Sequence, residues 1–440
     1  MMFSNKQLKQ LIVPLLVEQL LAVTVGLADS VMIAGVGEAA VSGVSLVDTV
    51  MVLLINIFSA LATGGAVVAG HYLGQKREEA AGKAADQLVF FTVCLSLVIT
   101  VLVYGGQNLI LDGIFGKIEP DVMANARTYL LIVTASIPFI ALYNAGAALF
   151  RAMGNSKVSM KTSILMNGIN ICGNALLIFG LHLGVAGAAI PTLVSRMAAA
   201  VMILFLLRKP DQQIHLSKHF VWKFEKHTVK KILHIGVPNG LENSMFQLGK
   251  ILVLSLVSGF GTASIAANAV SNTIAMFQIL PGMALGMAML SVAAQCVGAS
   301  AYDQAKYYTK KLLGLTYLCM LFMNVLVVLL LPLIIRAYNL SDVTAEITKQ
   351  IIWYHAACCV TIWPCSFFLP NTLRAANDVK FTMCISIASM WIFRIGFSYL
   401  LGQYLGLGVF GVWVAMTIDW LFRAICFVTR YLRGKWQYIK

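Results

Sequence analysis

Residues 11–34 read LIVPLLVEQLLAVTVGLADSVMIA, an apolar run interrupted by only two acids, Glu18 and Asp29. At about 1.5 Å of rise per residue, a helix of this length crosses a hydrocarbon core about 30 Å thick. Similar runs recur along the chain as far as residues 411–428. The sequence therefore predicts an all-α integral membrane protein.

The composition leaves no room for a large soluble domain. Of the 440 residues, 59% are hydrophobic and only 11% are charged, against about 25% charged residues in soluble proteins. The first run follows a short polar start without a small-residue cleavage site, so we expect it to be retained. We predict twelve transmembrane helices, at residues 10–34, 46–72, 87–112, 128–150, 158–180, 185–207, 231–257, 265–292, 312–336, 350–372, 381–404 and 407–429.

The formal net charge of +14 is explained by membrane topology. Lys and Arg accumulate in cytoplasmic loops, and most of these residues outside the spans fall on the side that holds both termini. The opposite side receives only Lys117, Arg127, Arg336 and Lys349. We therefore predict a multi-pass cell membrane protein with both termini in the cytoplasm and no nucleic-acid partner.

The two halves of the chain repeat at an offset of about 224 residues, as transporter folds often do. The matched segments are Pro14–Glu18 with Pro238–Glu242, Arg151–Lys157 with Arg374–Lys380, and Leu183–Gly187 with Leu407–Gly411. Because each half has an even number of spans, the repeat axis should run along the membrane normal. We predict two pseudo-symmetric six-helix lobes, residues 1–207 and 231–440, joined by a basic cytoplasmic linker at 208–230.

Charged residues inside a span are costly unless they face a cavity or a partner, so each is a functional candidate. The candidates are Glu18, Asp29, Asp48, Arg196, Glu242, Lys250, Arg394, Asp419 and Arg423. Asp48 and Arg423 lie near predicted span ends, where a helix cap or a snorkelling side chain explains them equally well.

Asp29 is the strongest candidate, because span five offers an amide ladder that can face it. The spacing of Asn167, Asn170 and Asn174 places all three amides on one helix face. With Thr192 as a further hydroxyl, these oxygens form the ligand set that hard cations such as Na⁺ prefer. Burial also disfavours the charged form of a carboxylate, as a proton carrier requires. We predict an ion-coupling site here, for H⁺ or Na⁺.

Other polar residues are weaker candidates for the substrate cavity. Glu18 and Glu242 each follow a proline by one turn, so they either share a structural role near a helix break or bind a cationic substrate. Lys250 and Arg394 either neutralise Glu242 or Asp419 across helices or bind an anion. Asn167 either lines the cavity or serves as an interhelical hydrogen-bond donor.

Several of these motifs resemble the multidrug and toxin extrusion (MATE) transporters over essentially the whole chain. The matching segments are Leu27–Gly35 after Pro14, Gly74–Ala81, Arg151–Asn155 and Gly187–Thr192. The resemblance implies a V-shaped pair of six-helix lobes that exports organic cations or drugs in exchange for H⁺ or Na⁺. It also implies that Asp29, Asn170 and Thr192 belong to the first-lobe ion site.

The chain departs from the family pattern at three positions. Relatives of the DinF type have a further Asp where this chain has Asn174, which puts a two-carboxylate site in doubt. NorM-like members use acids at positions that hold Phe246 and Trp363 here. We therefore expect coupling to rest on the first lobe.

We expect a cation-coupled antiporter that exports amphipathic, often cationic small molecules and acts as a monomer. The alternative is a flippase for lipid-linked saccharides or another amphipathic lipid. An enzyme is not expected, because no HExxH, GxSxG or paired His/Asp motif occurs. The nine cysteines form no CxxC unit, so we expect packing roles and no cofactor.

Overall fold

The computed structural model describes residues 2–114, 119–217 and 223–439, and within these ranges the chain is helical without strands. Lys117 and residues 218–222 of the predicted linker lie outside the described residues. The helices of the first half are α1 (Asn5–Ala34), α2 (Glu38–Gly74), α3 (Glu78–Gly105), α4 (Pro120–Thr134), α5 (Ile137–Ala152), α6 (Ser156–Asn174) and α7 (Ala186–Leu207).

The second half has the same order of elements. Its helices are α8 (Lys226–Ser258), α9 (Thr262–Gly298), α10 (Tyr302–Ala337), α11 (Asp342–Thr361), α12 (Pro370–Ala375), α13 (Val379–Ser389) and α14 (Gly408–Leu432). Wider π-helical turns lie at Leu109–Ile114, Ala175–Gly180, Pro364–Phe368, Met390–Gly396 and Ser398–Tyr404.

Every predicted span coincides with one helix or with two or three consecutive helical segments. By length and composition, nine of the described helices are able to cross a membrane, and two bent pairs bring the number to eleven. The twelfth span is α8, which has 33 residues but contains charged side chains in its apolar stretch. The prediction of twelve helices in an all-α membrane fold is confirmed.

The helices extend beyond the predicted apolar runs. The second helix begins at Glu38 rather than residue 46, and the third begins at Glu78 rather than residue 87. Acidic side chains in a first turn are favourable beside the positive end of the helix dipole. Polar first turns therefore continue the helices outside the apolar segment that hydropathy detects.

The two bent spans occupy equivalent places in the repeat. The pair α4 and α5 is bent by 50°, and α11 is bent by 58° from the segment Pro364–Ala375. A proline lies just after each break, Pro138 in the first half and Pro364 in the second. Because proline removes a backbone donor and clashes with the preceding turn, it accounts for a bend at these positions.

Backbone corners repeat at the same offset. Residues with left-handed φ occur in five equivalent pairs, which are Gly37 and Gly261, Lys76 and Ser300, Gly154 and Asn377, His182 and Gly406, and Gly184 and Gly408. Left-handed backbone is costly for most side chains. The recurrence of these corners shows that both halves fold along the same path, which agrees with the duplication inferred from the sequence.

Two compact units divide the chain. The first is Asn5–Gly240, and the second is Leu241–Lys440 with Met1–Ser4, described over residues 2–4 and 241–439. The start of α8 packs in the first unit, since a Cβ on Gly64 would lie 2.4 Å from the Ile232 carbonyl oxygen. In the second unit the Phe3 amide donates to the Tyr308 hydroxyl at 2.8 Å.

Neither proline in the first helix of each half breaks that helix, contrary to the expectation for Glu18 and Glu242. Pro14 lies inside α1 and Pro238 lies inside α8, and both helices continue through them. Both prolines lie beyond the first turn, so each helix continues despite the loss of one backbone hydrogen bond.

A glycine contact that recurs in both units leads to a stability prediction. A Cβ on Gly187 would lie 2.9 Å from the Leu177 carbonyl carbon, and one on Gly411 would lie 2.8 Å from that of Leu401. Because backbone cannot move aside cheaply, Gly187→Ala and Gly411→Ala should each lower the free energy of unfolding by about 1–3 kcal/mol. The measurement is the unfolding of purified variants in detergent.

The control is Gly168→Ala in α6, where nothing lies within 4 Å of the added Cβ. It should raise stability by about 0.5–1 kcal/mol, because alanine restricts the unfolded chain and favours helix. Equal stability of the Gly187→Ala and Gly168→Ala variants would contradict the close contact between Gly187 and the Leu177 backbone.

Candidate functional site

The predicted ion-coupling residues meet where α1 and α6 pack together in the first unit. The Asn174 side-chain amide donates to Asp29 Oδ1 at 2.8 Å. Asp29 is half-buried, whereas Asn174 is only 1% exposed and Asn170 only 6%. The amides therefore line the closed side of the carboxylate.

Asn170 contacts the same carboxylate and links it to α7. With its nitrogen toward Asp29, Asn170 donates to the two carboxylate oxygens at 2.8 and 3.1 Å, while its own oxygen accepts from Thr192 Oγ1 at 3.1 Å. With the amide turned over, the nitrogen donates to Thr192 and the oxygen faces the carboxylate. Thr192 thus contacts the Asn170 amide, and no hydrogen bond joins it to Asp29 within the described residues.

The two orientations of the Asn170 amide suit two charge states of the site. Nitrogen toward Asp29 stabilises the ionised carboxylate, because an N–H donor faces an anion. Oxygen toward Asp29 sets two acceptors against each other, which is favourable only when a proton or a cation lies between them. The orientation with the nitrogen toward Asp29 therefore satisfies both groups in the ionised site.

One further oxygen in the site has no partner. The Asn174 Oδ1 atom is buried and accepts no hydrogen bond from the described residues. An unpaired buried acceptor is costly. The Asn174 nitrogen, not this oxygen, lies against Asp29, so the amide would have to turn before its oxygen could join the carboxylate around a cation.

The backbone brings α6 and α7 close enough for these contacts. A Cβ on Gly173 would lie 2.7 Å from the Pro191 Cβ atom, so only glycine permits this approach. The π-helical turn Ala175–Gly180 begins directly after Asn174. Wide turns of this type often occur at functional sites, since they re-aim the side chains beside them.

Other charges of the first unit surround Asp29 without neutralising it. Asp48 and Arg196 interact electrostatically with Asp29, but none of the ion pairs between described residues includes this carboxylate. Arg196 donates to the Ser136 hydroxyl at 2.8 Å, at the bend between α4 and α5. Asp29 therefore remains available to an ion.

Asp48 and Arg423 lie inside helices rather than at their ends, so neither is a helix cap. Asp48 is ten residues inside α2 and accepts a hydrogen bond from the Tyr129 hydroxyl at 3.2 Å. Arg423 is buried inside α14 and forms an ion pair with Asp419 at 2.9 Å. The helices are longer than the apolar runs, which moves both residues away from the ends.

Glu18 and Glu242 form equivalent ion pairs, one in each unit. The Arg151 guanidinium lies 3.5 Å from Glu18, and that of Arg374 lies 2.8 Å from Glu242. Ser159 also donates to Glu18. Both glutamates are only 8% exposed. This geometry favours the structural role over substrate binding. The arginines recur 223 residues apart and the glutamates 224, a signal in the sequence from which the pairs could have been inferred.

The expected neutralising partners in the second unit were also wrong. Neither Lys250 nor Arg394 pairs with Glu242 or Asp419, because Arg374 and Arg423 occupy those carboxylates. Asn167 donates within its own helix, to the Ser163 hydroxyl at 3.2 Å, and in the described part of the chain it has no bond to Asp29 or to another helix. It lies on the face of the amide ladder but one turn away from the carboxylate.

Comparison with known proteins agrees with the duplication. The MatE family model matches residues 14–176 and again residues 238–400, two segments that start 224 residues apart. Two Bacillus subtilis proteins are similar over most of their length. "Uncharacterized transporter YisQ" is 27% identical, covering 96% of this chain and 93% of its own. "Probable multidrug resistance protein YoeA" is 29% identical, covering 92% and 88%.

A solved structure has the same fold. An outward-facing multidrug resistance MATE family transporter of the MOP superfamily superposes with a TM-score of 0.89 at 21% identity, over 98% of this chain and 96% of that one. The duplicated helical fold and these relatives place the protein among membrane transporters. Because the family model covers most of the sequence, the chain belongs to the MatE family.

Proposed function

We propose that this chain is a cation-coupled antiporter that exports amphipathic, often cationic small molecules by alternating access. The observation that supports it is Asp29, a half-buried carboxylate with two amides against it and no ion-pair partner among the described residues. Such a group binds and releases a cation without breaking a structural ion pair. YoeA, named a probable multidrug resistance protein, supports the class of cargo.

In this mechanism the Asn170 amide follows the charge of Asp29. When the carboxylate is ionised, the amide nitrogens of Asn170 and Asn174 hold it. When H⁺ or Na⁺ arrives, the Asn170 amide turns its oxygen to the carboxylate. The packing of α1 against α6 and α7 then has two arrangements, and the binding of the ion at Asp29 determines which of them is more stable. Coupling of ion binding to a conformational change requires this difference in stability.

The placement of the basic residues supports a cell-membrane protein with both termini in the cytoplasm. On this orientation the joins between α2 and α3, between α5 and α6 and between α9 and α10 lie inside the cell, and cargo leaves on the opposite side. A monomer is sufficient, since both repeats reside in one chain.

Transport by purified protein in proteoliposomes tests the function. A pH gradient and a Na⁺ gradient are imposed separately, and the movement of a panel of cationic dyes is followed. We expect one gradient to drive dye accumulation and the other to have no effect. Equal dye movement with and without either gradient would reject a coupled antiporter.

Asparagine variants in the same assay test the site. Asn170→Ala and Asn174→Ala should each weaken the dependence on the driving ion at least tenfold, since each removes a charge-assisted hydrogen bond and an oxygen ligand (about 1.5–3 kcal/mol). Asn167→Ala is the matched control, because it lies on the same helix face but bonds Ser163. Glu242→Gln should change ion dependence less than Asn170→Ala, and the reverse ranking would move coupling to the second unit.

A further inference from the structure

Three cations surround one aromatic ring in the second unit. The Phe246 ring centre on α8 lies 5.0 Å from the Lys250 ammonium and 4.7 Å from the Arg394 guanidinium carbon. Arg423 on α14 lies 5.7 Å from the same ring. We refer to Phe246, Lys250, Arg394 and Arg423 as the cationic cluster.

The cluster has fewer negative charges than positive ones. Its one neighbouring acid, Asp419, bonds Arg423 through both carboxylate oxygens, at 2.9 and 3.2 Å. In the described part of the unit, no carboxylate lies within 4.0 Å of Lys250 or Arg394. The charges of these two side chains also repel each other. Asp419 also attracts Arg394 electrostatically, but this one carboxylate faces three cations, so the cluster keeps two positive charges in excess.

An uncompensated guanidinium is unfavourable inside a membrane protein. Arg394 is only 8% exposed, and its side chain makes no hydrogen bond to the described residues. Buried charges are ordinarily paired, because desolvation without a partner is costly. Phe246 offers a ring face, but a cation–π contact replaces only part of the lost hydration. The missing counter-charge is the feature that a bound anion would supply.

The cluster is open to a ligand and lies deep in the helices. Lys250 is exposed and Phe246 is half-buried, so the cations are reachable from the surface of the unit. Lys250 is eight residues from the end of α8, about 12 Å at 1.5 Å per residue. Arg394 is ten residues from the end of the π-helical turn at Tyr404. This depth suits the charged group of a cargo molecule better than a headgroup held at the membrane surface.

We propose that Lys250 and Arg394 form an anion-binding subsite for a carboxylate, sulfonate or phosphate of an amphipathic cargo molecule. Arg394 offers planar paired donors and Lys250 offers a mobile point charge. Phe246 lies beside the apolar part of the same molecule. The inference rests on the proposed export function, and it adds anionic and zwitterionic amphiphiles to the expected cargo.

Binding of two related dyes to the full chain in phosphatidylcholine nanodiscs tests the subsite. Fluorescein is anionic and rhodamine 6G is cationic, but both have a xanthene ring. Lys250→Gln and Arg394→Gln should each raise the Kd of fluorescein at least about tenfold, as expected for loss of a charge-assisted contact. Arg394→Lys should have a smaller effect, and the Kd of rhodamine 6G should not rise in any variant.

Lys209→Gln is the matched control. Lys209 also lies over a phenylalanine four residues earlier, 5.8 Å from the Phe205 ring, but at the end of α7 and outside the cluster. Its variant should bind fluorescein as the unmodified chain does. Thermal unfolding shows whether each variant is folded. If Arg394→Gln does not fold, Lys250→Gln still tests the subsite, because Lys250 is exposed.

Several results would overturn the subsite. These are no fluorescein binding by the unmodified chain, an unchanged Kd in Lys250→Gln, or an equal loss in Lys209→Gln. Two results together would assign the cations to a lipid headgroup instead. Phosphatidylglycerol would compete with fluorescein for binding, and the chain would flip a fluorescent phosphatidylglycerol analogue only when Lys250 is present. Fluorescein binding that depends on the cluster without gradient-driven transport would reject the antiporter and retain the subsite. Gradient-driven transport of rhodamine 6G, with fluorescein binding unchanged in the cluster variants, would reject the subsite and retain the antiporter.

Discussion

Replacement of Asp29 by Asn is expected to reduce gradient-driven transport to the level of protein-free liposomes while the protein remains folded. An amide at this position cannot gain or lose a charge, so the driving ion has nothing to neutralise. The side chain keeps its shape, and its oxygen still accepts the hydrogen bond that Asn174 donates. No ion pair among the described residues is lost, and stability should change little.

The measurement is dye accumulation in proteoliposomes under the effective gradient, with thermal unfolding recorded on the same preparation. Asp48→Asn serves as the neighbouring control, since Asp48 also lies in the first unit but accepts its hydrogen bond from Tyr129. It should retain coupled transport at a reduced rate. Normal transport by Asp29→Asn, with loss in Asp48→Asn, would place the coupling carboxylate on α2.

Replacement of Asp419 by Asn is expected to lower the free energy of unfolding by about 3–5 kcal/mol, the cost of removing one partner from a buried ion pair. Asp419 is fully buried and bonds Arg423 through both oxygens. Ser389 donates to it as well. Without this carboxylate, all three cations around Phe246 lack a protein counter-charge. Denaturant titration in detergent micelles measures the change.

Two further variants separate charge from packing at this position. Asp303→Asn removes the carboxylate that lies 3.9 Å from Lys306 on an exposed helix face. Exposed ion pairs contribute little to stability, so the free energy of unfolding of this variant should not change. The double variant Asp419→Asn with Arg423→Gln should recover part of the loss, because it also removes the unpaired cation. An Asp419→Asn protein as stable as the unmodified chain would show that this buried pair within α14 does not stabilise the fold.

The ion site illustrates what residue spacing predicts well. The intervals in Asn167, Asn170 and Asn174 place three amides on one helix face, and two of them lie against Asp29. The third bonds Ser163 instead. Spacing determines which side chains share a face, but the height of the neighbouring helix determines which of them reach its carboxylate.

The ion pairs of Glu18 and Glu242, by contrast, were not predicted from residue spacing. Their positions after Pro14 and Pro238 favoured a helix break or cation binding, whereas each is held by an arginine from the fourth span of its own repeat. Both members of the pair recur in the sequence at nearly the same offset. A contact between two duplicated residues can therefore be inferred from the duplication, although neither residue alone reveals it.

Amino-acid order by itself determined the membrane class, the twelve spans and the internal repeat. Apolar run length must match the thickness of a bilayer, and a duplicated gene keeps its offset whatever the fold. Only the tertiary structure decided which charges are paired. Among the described residues Asp29 has no ion-pair partner, whereas Glu18 pairs with Arg151, though both acids lie on α1. The reason is physical, since ion pairs form over about 4 Å and depend on the rotation and height of each helix against its neighbours, which no local pattern of residues specifies.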